Sequence, residues 1–404
     1  MTVFEINSVP YGSTGRIMFQ IADTVKALGG VAYTSASFTK SRGEQFPETY
    51  YRIGGAVGKT EHIILAKLTG RHGCYSHFAT YKLIQKIKET KPDIIHLHNI
   101  HGWYLNWRML FDYLKNADIP VIWTLHDCWS FTGHCPHFMA LGCEKWKTGC
   151  YECSLYKLYP GCFFDDSKKQ YTLKRQCFTE VPNLTIVTPS QWLTDLVKQS
   201  YLKNYNTVVI NNGIDLTKFK PRISNFREKH GLGNKIILLG VAFDWTSKKG
   251  LDDFKQLADE LPEEYAIVLV GVSDVVAKNL PERIIAIACT QNQEELAEIY
   301  SAADLFVNPT LEDTFPTVNL EALACGTPVI TYQTGGSPES LTDECGAVVP
   351  YRDYEKLRKA IVEMKRTKEY MKQACIARAQ LFGREDAYRK YIELYKKCMK
   401  GGCK

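Results

Sequence analysis

Along the chain, short uninterrupted apolar runs alternate with longer stretches whose apolar positions recur every three or four residues. The runs at 3–7, 94–98, 121–125, 184–187, 207–210, 235–241, 266–270, 284–288, 305–307 and 329–331 are mostly rich in β-branched residues. They lack period-two alternation, which predicts parallel strands covered on both faces. Helical periodicity fills the gaps, as at 15–28, 78–90, 191–200, 252–260 and 294–302. Strand–helix alternation of this kind predicts an α/β fold of doubly wound sheets. The strands are too many for one comfortable sheet. Turn signals at Asn212 to Asp215, followed by Lys218 to Pro221, mark the cut between two Rossmann-like halves, 1–216 and 217–380. Two such domains are expected to face a central cleft with the carboxyl ends of their strands, where ligands of these sheets bind.

Composition narrows the classes. With 404 residues, 45% hydrophobic and 23% charged, the chain is too apolar for disorder and long enough for two domains. Fifty Lys and Arg against 44 Asp and Glu leave a net charge of +6. That excess is too diffuse to argue for nucleic acid, but it suits anionic ligands or an anionic membrane face. No apolar stretch reaches the ~18 residues of a membrane-spanning helix. The chain from Met1 to Ser8 enters strand-like sequence without a basic leader. A cytoplasmic enzyme, with a possible seat at the inner face of the cell membrane, is the expectation.

Two loops could carry chemistry. The first, Val9 to Arg16, joins the first strand to a helix, and its Gly12 and Gly15 let backbone amides approach a phosphate or sugar. A mere tight turn explains it equally well. The second runs from Asn308 to Pro328. A strand ends at Val307, Glu312 and Asp313 lie in the loop, and a helix starting near Thr317 carries Glu321. Free amides at that helix start take an anion, and carboxylates accept bonds from paired hydroxyls. The arrangement fits a ligand with sugar hydroxyls on both sides of a phosphate.

This second segment resembles the acidic–seven residues–Glu motif of retaining GT-B glycosyltransferases, family 4. Further segments are similar to that family in the same order. They are the Gly12–Arg16 loop, Thr124 to Asp127, Thr188 to Trp192, Ile210 to Asp215 with Phe219 and Pro221, Lys249 with Gly250, and Thr334 to Glu339. Nearest in kind are the transferases of capsule, O-antigen and colanic-acid-like polysaccharide assembly. The resemblance implies that Glu321 holds the ribose of a nucleoside-diphosphate sugar and Asp313 the donor-sugar hydroxyls. Phe315, Pro316 and Thr317 would line that site. Lys249 would neutralise the pyrophosphate with Gly15 against it, and His126 would touch the donor sugar near the reacting carbon. It further implies retention of configuration, a lipid-linked saccharide acceptor on the first domain, and a C-terminal helix, 381–404, packed back on that domain. Two departures stand out. Asp313 replaces the usual Glu, and an expected Arg is missing from the stretch Val241 to Asp244, with Lys248 as a substitute. No acidic motif is placed to bridge a pyrophosphate through a metal, so transfer without a metal or other cofactor is expected.

Other signals carry alternatives. His96, His98 and His101 could line the cleft, pack, or bind metal. Trp103, Tyr104 and Trp107 could stack on an acceptor sugar or form a core stripe. Six of the 14 cysteines fall between Cys128 and Cys162, in an aromatic and Gly-rich insertion at about 128–166. Cys135, Cys143, Cys150 and Cys153 could hold a structural zinc. Basic residues at 67–91 and 168–175 could meet anionic lipid or simply be solvated. A sugar-nucleotide epimerase of the same architecture, or a zinc-stabilised carbohydrate-binding subunit without catalysis, remain the alternative functions.

Overall fold

A computed structural model describes residues 1–39 and 45–402. Two compact units make up the chain: Met1–Ile210 with Tyr388–Lys404, and Asn211–Ala387. The first holds strands β1 (Thr2–Asn7), β2 (Val31–Ser37), β3 (Tyr50–Ile53), β4 (Ile94–Leu97), β5 (Val121–Thr124), β6 (Leu184–Thr188) and β7 (Asn206–Val209). They form one parallel sheet in the order β3-β2-β1-β4-β5-β6-β7. The second holds β8 (Ile236–Val241), β9 (Tyr265–Val270), β10 (Ile284–Ile287), β11 (Leu305–Asn308), β12 (Val329–Tyr332) and β13 (Gly346–Val349). Their order is β10-β9-β8-β11-β12-β13, again parallel throughout.

Both orders reverse once. In the first sheet the chain turns back between β1 and β4, and in the second between β8 and β11. At such a switch point two neighbouring strands send their following loops to opposite faces, which opens a crevice at their carboxyl ends.

The central strands are the ones the apolar runs predict. All six residues of β9 and all but the last of β8 are buried. Helices shield both faces of the second sheet with separate cores. Tyr300, Leu320 and Leu323 pack on one side, and Phe254, Leu257 and Leu357 on the other. Three strands arise where no run signals them. β2 carries three small or polar residues, Thr34, Ser35 and Ser37, which are buried because neighbouring strands flank it. β3 and β13 are four-residue edge strands, too short for a pattern to show.

The segment 128–166 lies between β5 and the helix Ser167–Phe178 as loops and three short 3-10 turns. It is held by its aromatics and one cation. Lys174 is buried beneath the Trp129 ring, 3.4 Å from its centroid, and donates to the carbonyls of Trp129 (2.8 Å) and Thr132 (3.0 Å). Tyr104 and Trp107 are core residues: the Tyr104 hydroxyl donates to the Asn99 carbonyl and the Trp107 indole to that of His72. The core-stripe reading therefore holds for these two.

Candidate active site

The switch point of the second sheet gathers most of the expected residues. After β8 the chain makes a short turn at Ser247–Lys249, and after β11 it enters the loop 309–316. The two are docked on each other. The Leu311 amide donates to the Lys248 carbonyl at 2.8 Å. Gly250 sits at φ +78°, where an added Cβ would stand 2.3 Å from Pro309 Cγ and 2.7 Å from its carbonyl oxygen. Only a glycine in the left-handed region allows this approach.

Docking aligns two lysines with two carboxylates. Lys248 Nζ lies 2.6 Å from Glu312 Oε2, and Lys249 Nζ lies 2.8 Å from Asp313 Oδ2. The pairs differ in burial. The Glu312 side chain is 4% exposed and that of Asp313 22%, while both lysines are more open than their partners. Lys248 is therefore committed to neutralising a buried carboxylate, and Lys249 is the cation more readily shared with a ligand. Gly335 packs against Asp313, since a Cβ on Gly335 would fall 1.7 Å from the Asp313 carbonyl oxygen.

Past Pro316 begins the helix Thr317–Ala324, whose first turn carries its free amides toward the loop. Its position is set by buried polar bonds. Asn308 donates to Asn319 Oδ1 at 2.8 Å, and Asn319 donates to Ser340 Oγ at 3.0 Å. Glu321 follows one turn later and accepts a bond from the buried Tyr300 hydroxyl at 3.2 Å, which fixes one carboxylate oxygen. Phe315 and Pro316 are buried, and the Phe315 carbonyl accepts from Asn212 at 3.3 Å.

The switch point of the first sheet holds a different set. Glu5 on β1 is fully buried and faces His96 in the register of β1 with β4. Glu5 Oε2 lies 3.1 Å from His98 Nε2, and His98 Nδ1 lies 3.0 Å from His126 Nε2. The three form a chain from the sheet interior to the end of β5. His96 is held separately, with Nδ1 2.6 Å from the Tyr395 hydroxyl and Nε2 2.8 Å from Thr124 Oγ1. Both nitrogens of His96 and of His98 are engaged in hydrogen bonds, so these rings serve a polar network. His101 bonds Asp127 (2.8 Å) and the Tyr159 hydroxyl (3.0 Å). Burial opposes ionisation of Asp127, yet His101 and the Trp129 amide outweigh it and hold the carboxyl down at about 2.

In the glycine loop, Asn7 donates to the Val9 carbonyl (3.1 Å) and to Thr14 Oγ1 (3.2 Å). Gly12 opens the helix Gly12–Ala27 at φ +71°. Gly15 is buried, and a Cβ there would meet the Pro10 carbonyl carbon at 2.6 Å. Close packing of helix on loop accounts for that glycine.

Two family models match, one to each half: Glycosyltransferase Family 4 over residues 23–218 and Glycosyl transferases group 1 over residues 233–366. The chain belongs to glycosyltransferase family 4. A relative among these transferases is the colanic acid biosynthesis glycosyl transferase WcaC of Escherichia coli (strain K12), 27% identical over 269 residues. That alignment spans 64% of this chain and 64% of WcaC. Among solved structures, the sucrose-phosphate synthase of Thermosynechococcus elongatus superposes with a TM-score of 0.75 at 18% identity, covering 99% of each chain. HepE of Anabaena, solved in complex with UDP-glucose, superposes with a TM-score of 0.66 at 14% identity, covering 98% of this chain and 100% of HepE. The fold is thus that of the GT-B glycosyltransferases, two parallel-sheet α/β domains of seven and six strands.

Lys248, Lys249, Asp313, Phe315, Pro316, Thr317 and Glu321 all lie at the carboxyl ends of β8 and β11 in the second unit. Gly12, Gly15 and His126 stand in the first, at the ends of β1 and β5. Sequence reasoning missed Glu5, Tyr300 and Tyr395, which position His98, Glu321 and His96. A Glu inside the apolar run Val3 to Ile6 was the signal for the first of these. The four cysteines of the quartet lie near one another: Cys135 interacts with Cys150 and Cys153, and Cys150 with Cys143. Cys135 and Cys153 interact directly, which together with burial pushes the Cys135 thiol up and, against burial, draws that of Cys153 down. Cys150 accepts the Gly133 amide at 3.1 Å. Among the described residues, two groups of three His, Cys, Asp or Glu have ligand atoms within 4.8 Å of one another, and the quartet supplies neither.

The buried imidazoles give the protein an acid-sensitive side. Burial holds His126 and His62 down at about 4 and His96 at about 3, and lowers His98 as well, with help from His96 and His126. Between the unfolded value near 6.5 and these folded values, the unfolded chain binds protons that the native one does not. Stability is whole above that window and falls as the pH drops through it. His126 alone accounts for roughly 3 kcal/mol across its shift. Glu5, raised by burial, works in the opposite sense. Thermal melts are expected to show a steep loss of Tm between pH 6.5 and 4; a flat profile would show these rings to be solvated.

Proposed function

We propose that the chain is a retaining glycosyltransferase that moves a sugar from a nucleoside-diphosphate sugar to a saccharide acceptor, lipid-linked, in the assembly of a surface polysaccharide. The observation that carries this reading is the Lys249–Asp313 pair beside the helix start that leads into Glu321. It offers, where the turn after β8 docks on the loop after β11, a cation for a diphosphate, amides for its oxygens and two carboxylates for hydroxyls on either side. The glycosyl carbon–phosphate bond breaks as Lys249 and the helix start stabilise the departing diphosphate electrostatically. The acceptor hydroxyl adds to the same face in an ion-pair-like step, and its proton leaves with a phosphate oxygen. Lysines and amides supply the positive charge, so no metal ion is required for the transfer. His126, its ring fixed through His98 by Glu5, stands on the first unit as the group proposed to touch the donor sugar.

HepE was solved with UDP-glucose, and WcaC is described as acting in colanic acid biosynthesis. Both support a nucleotide-sugar donor and a polysaccharide product for this chain. Glu321→Ala tests the donor site. Loss of a charged acceptor of ribose hydroxyls is expected to raise the donor KM about 10- to 100-fold. An unchanged KM would remove Glu321 from the site.

A membrane-facing surface on the first unit accompanies this reading. Val57, Ile64 and Leu68 form an exposed stripe on the helix Ala56–Thr69, and Phe78 and Tyr81 are exposed on the following helix His77–Thr90. Lys67 lies on the first of these helices, Lys82, Lys86 and Lys88 on the second, and Arg71 between them. Exposed apolar side chains on helices that also carry cations suit an anionic bilayer surface. Among the described residues no helix is long and apolar enough to cross a membrane. The protein is expected to float with vesicles containing anionic lipid at low salt and to be released by high salt. Failure to float at low salt would remove the membrane from the proposal.

A further inference from the structure

In the first unit, three residues far apart in sequence meet in the interior: His72, His134 and Cys162. Their ligand atoms lie within 4.8 Å of one another, and the residues are 2%, 3% and 5% exposed. Each comes from a different loop. His72 precedes the helix His77–Thr90, His134 follows the turn at Trp129–Phe131, and Cys162 ends the aromatic loop that carries Tyr159.

The chemistry of the three is specific. Neither ring nitrogen of His72 has a hydrogen-bond partner among the described residues. An imidazole buried without a partner forfeits the water it leaves behind, a cost that persists unless something else binds it. His134 Nε2 lies 3.2 Å from the Leu158 carbonyl oxygen. To make that bond Nε2 must carry the proton, which places the lone pair of the neutral ring on Nδ1. A ring nitrogen donating to a backbone carbonyl is how metal-bound histidines are usually oriented. The Cys162 thiol lies against the carbonyls of Tyr156 (3.2 Å) and Phe164 (3.0 Å), with one proton to offer two acceptors. The His72 and Cys162 segments are also docked by ordinary bonds: the Phe163 amide donates to the Lys67 carbonyl at 3.0 Å, and Arg71 lies 3.6 Å from Asp166. The donors are thus brought together by the fold.

We propose that His72, His134 and Cys162 form a zinc site that staples these three loops together. Two imidazoles and one thiolate are a borderline-soft donor set suited to Zn²⁺, with a fourth position for water. On binding, the thiol proton is released to solvent and the His72 lone pair gains a partner. The staple would act on the loop that bears Tyr159, whose hydroxyl bonds His101 and through it Asp127 beside His126. The Cys135, Cys143, Cys150 and Cys153 quartet plays no part in this site.

Metal analysis of the untagged protein, purified without chelator, tests the assignment. The expectation is about one zinc per chain, lost in His72→Asn and in Cys162→Ser and kept in the double variant Cys143→Ser, Cys150→Ser. Should Cys162→Ser fail to fold, cobalt substitution of the wild-type protein reads the same ligand. A thiolate-to-cobalt charge-transfer band is expected, and it should survive in the quartet variant. Readdition of zinc to chelated protein should raise Tm. The proposal is overturned if wild-type protein takes up neither zinc nor cobalt, or if His72→Asn keeps its metal while the quartet variant loses it.

Discussion

Lys249→Ala is expected to slow nucleoside-diphosphate release by about 10²- to 10³-fold, the usual cost of deleting one preorganised electrostatic contact to a leaving charge. The fold should survive. Lys249 and Asp313 form a partly exposed pair, and such pairs contribute only about 0–1 kcal/mol to stability. Asp313, once unpaired, can turn to water. Lys248→Ala is expected to behave differently, because its partner Glu312 is nearly sealed from solvent. Taking the Lys248 cation from that buried carboxylate costs stability before it costs rate. Steady-state kinetics and thermal melts of both variants separate the roles. Loss of turnover with an unchanged Tm is expected for Lys249→Ala, and a lowered Tm for Lys248→Ala. Full turnover in Lys249→Ala would contradict the assignment.

The second large effect is steric. Gly335 has φ +53°, and a Cβ there would lie 1.7 Å from the Asp313 carbonyl oxygen. The obstacle is backbone, so no side chain can swing aside. Gly335→Ala combines left-handed strain with forced separation of two chain segments, together about 2–5 kcal/mol. For a domain of this size that is on the order of 5–15 °C in Tm. Whatever relief the chain finds must move Asp313 away from Lys249, so donor affinity should fall in parallel. A variant with native Tm and native donor KM would show that the 313 and 335 loops are not coupled.

These two cases also show what was legible in the sequence. The loop from Asn308 to Pro328 could be read because strand end, acidic residues and helix start are contiguous. Its pairing with Lys248 and Lys249 spans 64 positions and is made by the adjacency of β8 and β11, which no local pattern reveals. Gly335 reads only as part of a turn until the Asp313 carbonyl is seen against it. β2 escaped notice because its buried positions are small and polar, and their burial comes from neighbouring strands. The cysteine spacing pointed to a metal on the quartet. The fold also brings together His72, His134 and Cys162, whose separation along the chain gives no spacing to recognise.

The central claim is that a nucleoside-diphosphate sugar binds at the carboxyl ends of β8 and β11 and is cleaved there. A panel of nucleotide-sugars, read by thermal shift and by nucleoside-diphosphate release with a lipid-linked acceptor mimic present, tests it most directly. At least one donor should raise the Tm of the wild-type protein and release its nucleotide, and Glu321→Ala should lose most of that thermal shift. If no donor shifts the wild type, or if Glu321→Ala responds as the wild type does, the site is elsewhere.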